Sequence, residues 1–324
     1  MPRLTIIIPS PHAPEHFEDT LASVLQNRPQ DCEVIVAHGH SYADPYGLRG
    51  EVRFLQVSGN PQITDLLNSG LEAARGTVVH TLACGTSVEE GWADAALEHF
   101  EDDEVASVTP LLVDTRDPSQ VITAGVGHSS LGTRQLLGKG KLSRECRGLA
   151  SRVQGPVLAA GFYRRSVLVA LGGFATNLGD ELADLDFALS AKALGMCTNL
   201  ETGSRVLAND EAAQSTMLRN PRSFAAGRQA ERLFWRHQSQ FGSVATAIHP
   251  MAVVGETVLN LTSLAGIGRF LGRCVAALEF GTTRQHQSTL QGAGNYLAES
   301  FELAPATVSL QSSSRRPVES RKAA

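Results

Sequence analysis

The chain has 324 residues, 42% of them apolar and 19% charged, a balance that argues against a disordered, collagen-like or membrane-spanning protein and leaves room for one ordinary domain with an appendage. Its formal charge of -5 supplies no global positive field, so nucleic acid is set aside as the main partner. Five scattered cysteines suit free thiols in a reducing compartment, and an opening apolar run too short for a secretory segment makes the cytoplasm the expected location.

Leu4 to Ile8, ending in Pro9-Ser10-Pro11, reads as a strand buried on both faces. Phe17, Leu21, Val24 and Leu25 then recur at helical spacing behind Glu15, Glu18 and Asp19, acids that favour a helix N-terminus. Strands are predicted over Glu33 to Ala37, Val52 to Val57 and Thr77 to Leu82, with a helix carrying Ile63, Leu67, Leu71 and Ala74 before Gly76. Trp92, Ala96 and Phe100 mark a helical stripe, and Val105 to Val113 is another apolar run. This alternation implies an α/β domain with a largely parallel sheet and a ligand crevice outside the carboxyl ends of its strands. Residues 114 to 155 are periodically weak and read as loop and irregular strand. From Gly155 a strand is followed by a short helix with Val167, Leu168 and Leu171, a Gly-Gly stop, and a helix from about Asp184 to Leu194 closed by Gly195.

Beyond about residue 215 the pattern becomes helices only, over Ser223 to Gln240, through the apolar stretch Ala252 to Leu264, and from Gly266 to Phe280. In the last of these, Ile267, Phe270, Leu271, Cys274, Val275 and Leu278 share one face, with Arg269 and Arg273 off it. Such a stripe suits packing against the domain or a sister subunit. It equally suits peripheral contact with an anionic membrane surface at the inner face. Residues 305–324 are rich in Ser, Arg and Pro and read as a disordered tail. The expected organisation is a domain over 1–215, a helical extension over 216–304 and that tail.

Three segments should meet at one sheet edge: Pro9-Ser10 ends the first strand, His38-Gly39-His40-Ser41 the second, and Ala83-Cys84-Gly85-Thr86 the fourth. With these in place, LTIIIPSPHAPEHFEDTLASVL resembles the opening of family 2 glycosyltransferases, which have the nucleotide-sugar-binding GT-A fold. EVIVAHGHS, NPQITDLLNSGLEAARG, TVVHTLACGTSVEEGW, RRSVLVALGGF and ADLDFALSAKALG follow in the family's order and spacing.

The resemblance implies a nucleotide-sugar donor held near Pro9, His12, His38, Ser41, Asn60, Asn68, Cys84 and Gly85. It puts Asp180, Glu181 and Asp186 on the side of a glycan or lipid-linked acceptor, and Asp184 at the position of the base that deprotonates the acceptor hydroxyl. From its position alone, Asp184 equally fits a helix cap. The family's divalent metal, which stabilises the departing diphosphate, is held by an Asp-x-Asp motif. Here Ala83 and Gly85 replace both acids, so no metal is assigned; Asn209 stands for a late histidine and Ser190 for an arginine. Two functions are therefore expected: a sugar transferase of this type, or a non-catalytic relative that keeps the crevice for binding or scaffolding.

Overall fold

The computed structural model describes residues 2–11, 15–129, 132–215, 223–260 and 264–302. The predicted tail and His12 lie outside these residues. The chain opens with β1 (Leu4–Ser10), α1 (Glu15–Asn27), β2 (Cys32–His38), β3 (Val52–Gln56), α2 (Ile63–Ala73) and β4 (Val78–Leu82). These are the strands and helices expected from the β-branched runs and the helical stripes. β5 (Thr86–Val88), α3 (Asp94–Glu98) and the long β6 (Val105–Asp114) follow. Residues 114 to 155 contain three short strands, β7 (Val121–Thr123), β8 (Val126–His128) and β9 (Arg134–Leu136). Next come β10 (Ala160–Arg164), α4 (Arg165–Ala170), α5 (Ala183–Ala193), β11 (Cys197–Ala208) and α6 (Asp210–Ser215).

The main sheet has the order β3-β2-β1-β4-β10-β6-β11-β5, with β7 paired to β6. Strands β3, β2, β1 and β4 are parallel, as are β6 and β11, while β10 runs antiparallel between β4 and β6. Alternation along β1 sends Leu4, Ile6 and Ile8 to one core with Phe17, Leu21 and Val24, and sends Ile7 to the other with Leu67, Leu71 and Val167. Both faces of the sheet are thus covered, which is why β1 is apolar at consecutive positions.

The extension comprises α7 (Phe224–Arg236), α8 (Gln238–Asn260), α9 (Leu264–Ala277) and α10 (Phe280–Glu302). Ser223 caps α7 by accepting the Ala226 N–H at 3.0 Å, and α8 is interrupted at Gly242, where φ is 85°. Helices α7 and α9 touch backbone to backbone. A Cβ at Gly227 would lie 2.0 Å from the Arg269 carbonyl oxygen, and one at Gly272 would lie 2.0 Å from that of Phe224. Helix propensity alone would make Gly227→Ala stabilising by about 1 kcal/mol. Because the obstructing atoms are backbone, we expect the opposite sign, a loss of about 1–3 kcal/mol, measured by urea denaturation.

The face of α9 that meets α7 and α8 is the polar one. Arg273 donates to Glu231 and Glu256, each at 2.8 Å, and Arg269 donates to Glu256 at 2.7 Å. His249 completes the cluster against both oxygens of Glu231, at 3.0 and 3.1 Å. The apolar stripe of Ile267, Leu271, Val275 and Leu278 is turned outward and exposed. The glycines explain this orientation, because only the face carrying Gly227's contact and Gly272 approaches α7 closely enough.

Candidate functional site

The sheet edge expected to take a ligand is formed by the carboxyl ends of β1, β2 and β4. Ser10 stands opposite His38 in the β1–β2 ladder, and the Gly39 N–H donates to Ser10 O at 3.0 Å. Cys84 donates its thiol hydrogen to Pro9 O at 3.2 Å. Pro9, His38 and Cys84 are thereby brought together. His38 is buried, and its Nδ1 donates to His40 O at 2.7 Å. Its ring packs 5.2 Å from that of His40, in a cluster continued by Tyr42, Phe54 and Phe17. Burial and the nearby Glu18 and Asp44 carboxylates push the Tyr42 phenol up to about 12, so it stays protonated. Ser41 and Asn60 are exposed, and Pro61, next to Asn60, abuts Gly39.

Asn68 takes no part in this edge. Its amide clamps the loop after α4, accepting the Phe174 N–H at 2.8 Å and donating to Phe174 O at 2.9 Å. The donor role expected of it thus meets a side chain engaged on both its oxygen and its nitrogen by the backbone of the protein itself.

Gly85, where the resemblance implies a metal-binding acid, and Asn209, where it implies a histidine, are in contact. The Asn209 N–H donates to Gly85 O at 3.0 Å, and Asn209 Oδ1 accepts the Ala212 N–H at 3.0 Å to cap α6. Gly85 has φ 82°, and a Cβ there would sit 2.3 Å from Asn209 Oδ1. An acid placed at 85 would meet that amide, at a positive φ that side-chain-bearing residues seldom adopt. A hard divalent cation selects carboxylate oxygens. The alanine, thiol, glycine and amide present here do not fit one.

The acids of the 180s are each engaged with the protein. Asp180 binds the N-terminus of α2, accepting the Ile63 N–H at 3.0 Å, the Thr64 N–H at 2.8 Å and the Thr64 hydroxyl at 2.9 Å. Asp184, 1% exposed, receives a forked pair from Arg134, Nε at 2.9 Å and Nη2 at 2.6 Å, and the Leu185 N–H at 2.7 Å. It lies in the first turn of α5, behind the N-cap Leu182. Glu181 is half-buried and adds to the negative field at Arg134. Desolvation opposes the Arg134 charge, but Asp184 outweighs it and raises the guanidinium's pKa.

Asp186 points the other way, toward the extension. His237 Nε2 donates to its Oδ1 at 2.9 Å, Arg236 Nε lies 3.4 Å from the same atom, and Arg236 Nη2 donates to His286 Nδ1 at 3.0 Å. Burial alone would raise the Asp186 carboxyl, yet Arg236 and His237 hold it below its ordinary value. Burial pushes the His286 imidazole down to about 4. Asp186, His237 and His286 offer ligand atoms within 4.8 Å of one another. The Arg236 guanidinium already provides the positive charge there, so the carboxylate is balanced without a metal. A cavity of about 300 Å³, lined in part by Asp186, Ser190, Arg236 and His286, adjoins this cluster. Arg134, Arg236, His237 and His286 carry no motif or spacing that would single them out in the sequence.

No protein-family model matches the chain, and no curated protein matches it. Solved structures do. The crystal structure of GalNAc-T7 with UDP, GalNAc and Mn2+ is similar over 72% of this chain and 48% of that one, with TM-score 0.54 and 13% identity. The chain therefore spans about half the length of that protein. The mannosyltransferase PcManGT from Pyrobaculum calidifontis, in complex with GDP-Man and Mn2+, is 16% identical over 92% of this chain and 88% of that one, with TM-score 0.48. The first likeness establishes the GT-A fold expected from the sequence.

Proposed function

We propose that this chain is a glycosyltransferase-like binding protein: a GT-A domain that takes a nucleotide-sugar into its crevice without a divalent cation and does not transfer the sugar. The observation that carries this reading is the contact between Gly85 and Asn209, which crowds any acid placed at position 85 and so argues against a carboxylate-held cation. An inverting transfer needs charge at the departing diphosphate and a base at the acceptor hydroxyl. The first has no carboxylate-held metal here. The second falls to Asp184, which is buried and has both carboxylate oxygens already engaged by Arg134 and the Leu185 N–H, leaving no open face toward an acceptor hydroxyl. Donor binding is supported by the convergence of Pro9, His38 and Cys84 at the edge where open α/β sheets take ligands. GalNAc-T7, whose structure holds UDP, supplies the ligand class.

The test is calorimetric titration with UDP, GDP and their sugar conjugates, with and without Mn2+, alongside mass-spectrometric detection of donor hydrolysis. We expect binding that Mn2+ does not alter and no hydrolysis. Introducing Ala83→Asp and Gly85→Asp together should not create Mn2+ dependence, because Asn209 still crowds position 85. Failure of all these nucleotides to bind would overturn the proposal. Turnover lost in Asp184→Asn would instead make the chain a family 2-type transferase acting on a saccharide or lipid-linked acceptor.

A further inference from the structure

Helices α8 and α9 are inverted relative to water. Their inward sides carry Glu231's partners His249 and Arg273, together with Glu256 and Arg269. Their outward sides are apolar. On α8, Val244, Ile248, Met251, Val254 and Val258 recur at helical spacing and are exposed, Met251 by 76%. On α9 the exposed residues are Ile267, Leu271, Val275 and Leu278, the last by 78%. Together these side chains leave on the order of 900 Å² of apolar surface in water, beyond the ~300–600 Å² of the largest patch on a typical monomer and close to the ~800 Å² that each partner contributes to a standard interface.

We infer that the outward face of α8 and α9 is the interface with a second copy of this chain, paired about a two-fold axis. Three observations select that occupant. The area is what a stable pair needs. Among the described residues the face carries no ionised side chain, Ala247 and Gly255 being its other members on α8 and Cys274 on α9, so a self-complementary pairing of these residues meets no like-charge repulsion. Arg269 and Arg273, the cations that would draw the helix to anionic lipid, are turned inward onto Glu256 and Glu231. Membrane-surface helices rely on basic residues beside bulky Trp, Phe or Leu, whereas four of these nine side chains are valine. The inference does not depend on whether the crevice binds a nucleotide-sugar.

Sedimentation of the full chain across concentration, combined with alkylation mass spectrometry, tests it. Cys274 and Cys197 are both exposed in the protomer, but only Cys274 lies on the face. We expect a dimer in which Cys274 is protected at least tenfold relative to Cys197. Met251→Glu with Leu278→Glu should give a monomer with both thiols reactive and an unchanged circular dichroism spectrum. Val169→Glu, at an exposed apolar site on α4, should leave the dimer intact. A wild-type monomer at all concentrations overturns the inference. So does a dimer that survives the double substitution, or a monomer that floats with phosphatidylcholine or phosphatidylglycerol vesicles, the last result assigning the face to a bilayer.

Discussion

Replacing Arg134 by methionine should lower the free energy of unfolding by about 3–5 kcal/mol, the range for removing one partner of a buried ion pair. Arg134 and Asp184 have side-chain exposures of 5% and 1%, so water cannot solvate the carboxylate left behind. The guanidinium's hydrogen bonds to both carboxylate oxygens disappear together, while the Leu185 N–H remains to Asp184. Adding Asp184→Asn should recover most of the loss, since the amide oxygen still accepts the Leu185 N–H and no unpaired charge stays buried. Urea titrations of wild type, Arg134→Met and the double variant decide this. A loss below about 1 kcal/mol would mean that the pair behaves as an exposed one and that Asp184 is available for proton transfer.

The same pair shows where sequence reading stops. Asp184 stands out in a linear string because it follows a recognisable Gly-Gly-Phe segment, and from the string alone it is both a base and a cap. What holds its carboxylate in the fold is Arg134, fifty residues earlier, in a stretch with too little periodicity to be placed. The strands β1, β2, β4 and β6 were legible because burial on both faces demands uninterrupted apolar residues. Strand β11 was not, since CTNLETGSRVLA is half-buried and polar, and its register shifts between Glu201 and Arg205.

Other limits follow from the same physics. The sheet-edge segments were legible because their positions follow from strand ends, and strand ends follow from apolar runs. That positions 83 and 85 carry no acid was also legible as text. Only the fold shows what an acid at 85 would meet, as Asn209 lies more than a hundred residues from Gly85 and reaches it across β11 and β5. The stripe on α9 has the correct period but the unexpected sense, since a hydrophobic face states that something covers it and not what. The glycines at 227 and 272 hold the opposite face against α7 by steric fit, and a hydrophobicity pattern does not register steric fit.

The second large effect is acid lability arising from His80. This residue is fully buried on β4, its ring stacked on Phe162 with centroids 3.7 Å apart and planes 5° from parallel. Nδ1 donates to Gly161 O at 2.9 Å, and Nε2 accepts from Trp92 Nε1 at 3.2 Å, so the neutral tautomer satisfies both ring nitrogens. A proton on Nε2 would face the Trp92 N–H head-on. Burial, partly offset by the bond to Gly161, lowers its pKa from 6.5 to about 3. Between those values the unfolded chain binds a proton that the folded chain does not, so stability is complete above pH 6.5 and falls as the pH drops toward 3. His286, lowered to about 4, acts in the same direction. Each group contributes about 1.4 kcal/mol per pH unit, so the pair should remove about 5 kcal/mol between pH 7 and pH 4.5, a large share of the ~5–15 kcal/mol of a typical domain. His80→Gln can keep a donor toward Gly161 and an acceptor toward Trp92, but it forfeits the stack and about 1–2 kcal/mol at pH 8. Lacking the titrating ring, it should follow about half the wild-type slope and overtake wild type near about pH 5.5. Parallel curves for the two proteins, from chemical denaturation at half-unit pH steps, would show that the His80 imidazole can take a proton in the folded state.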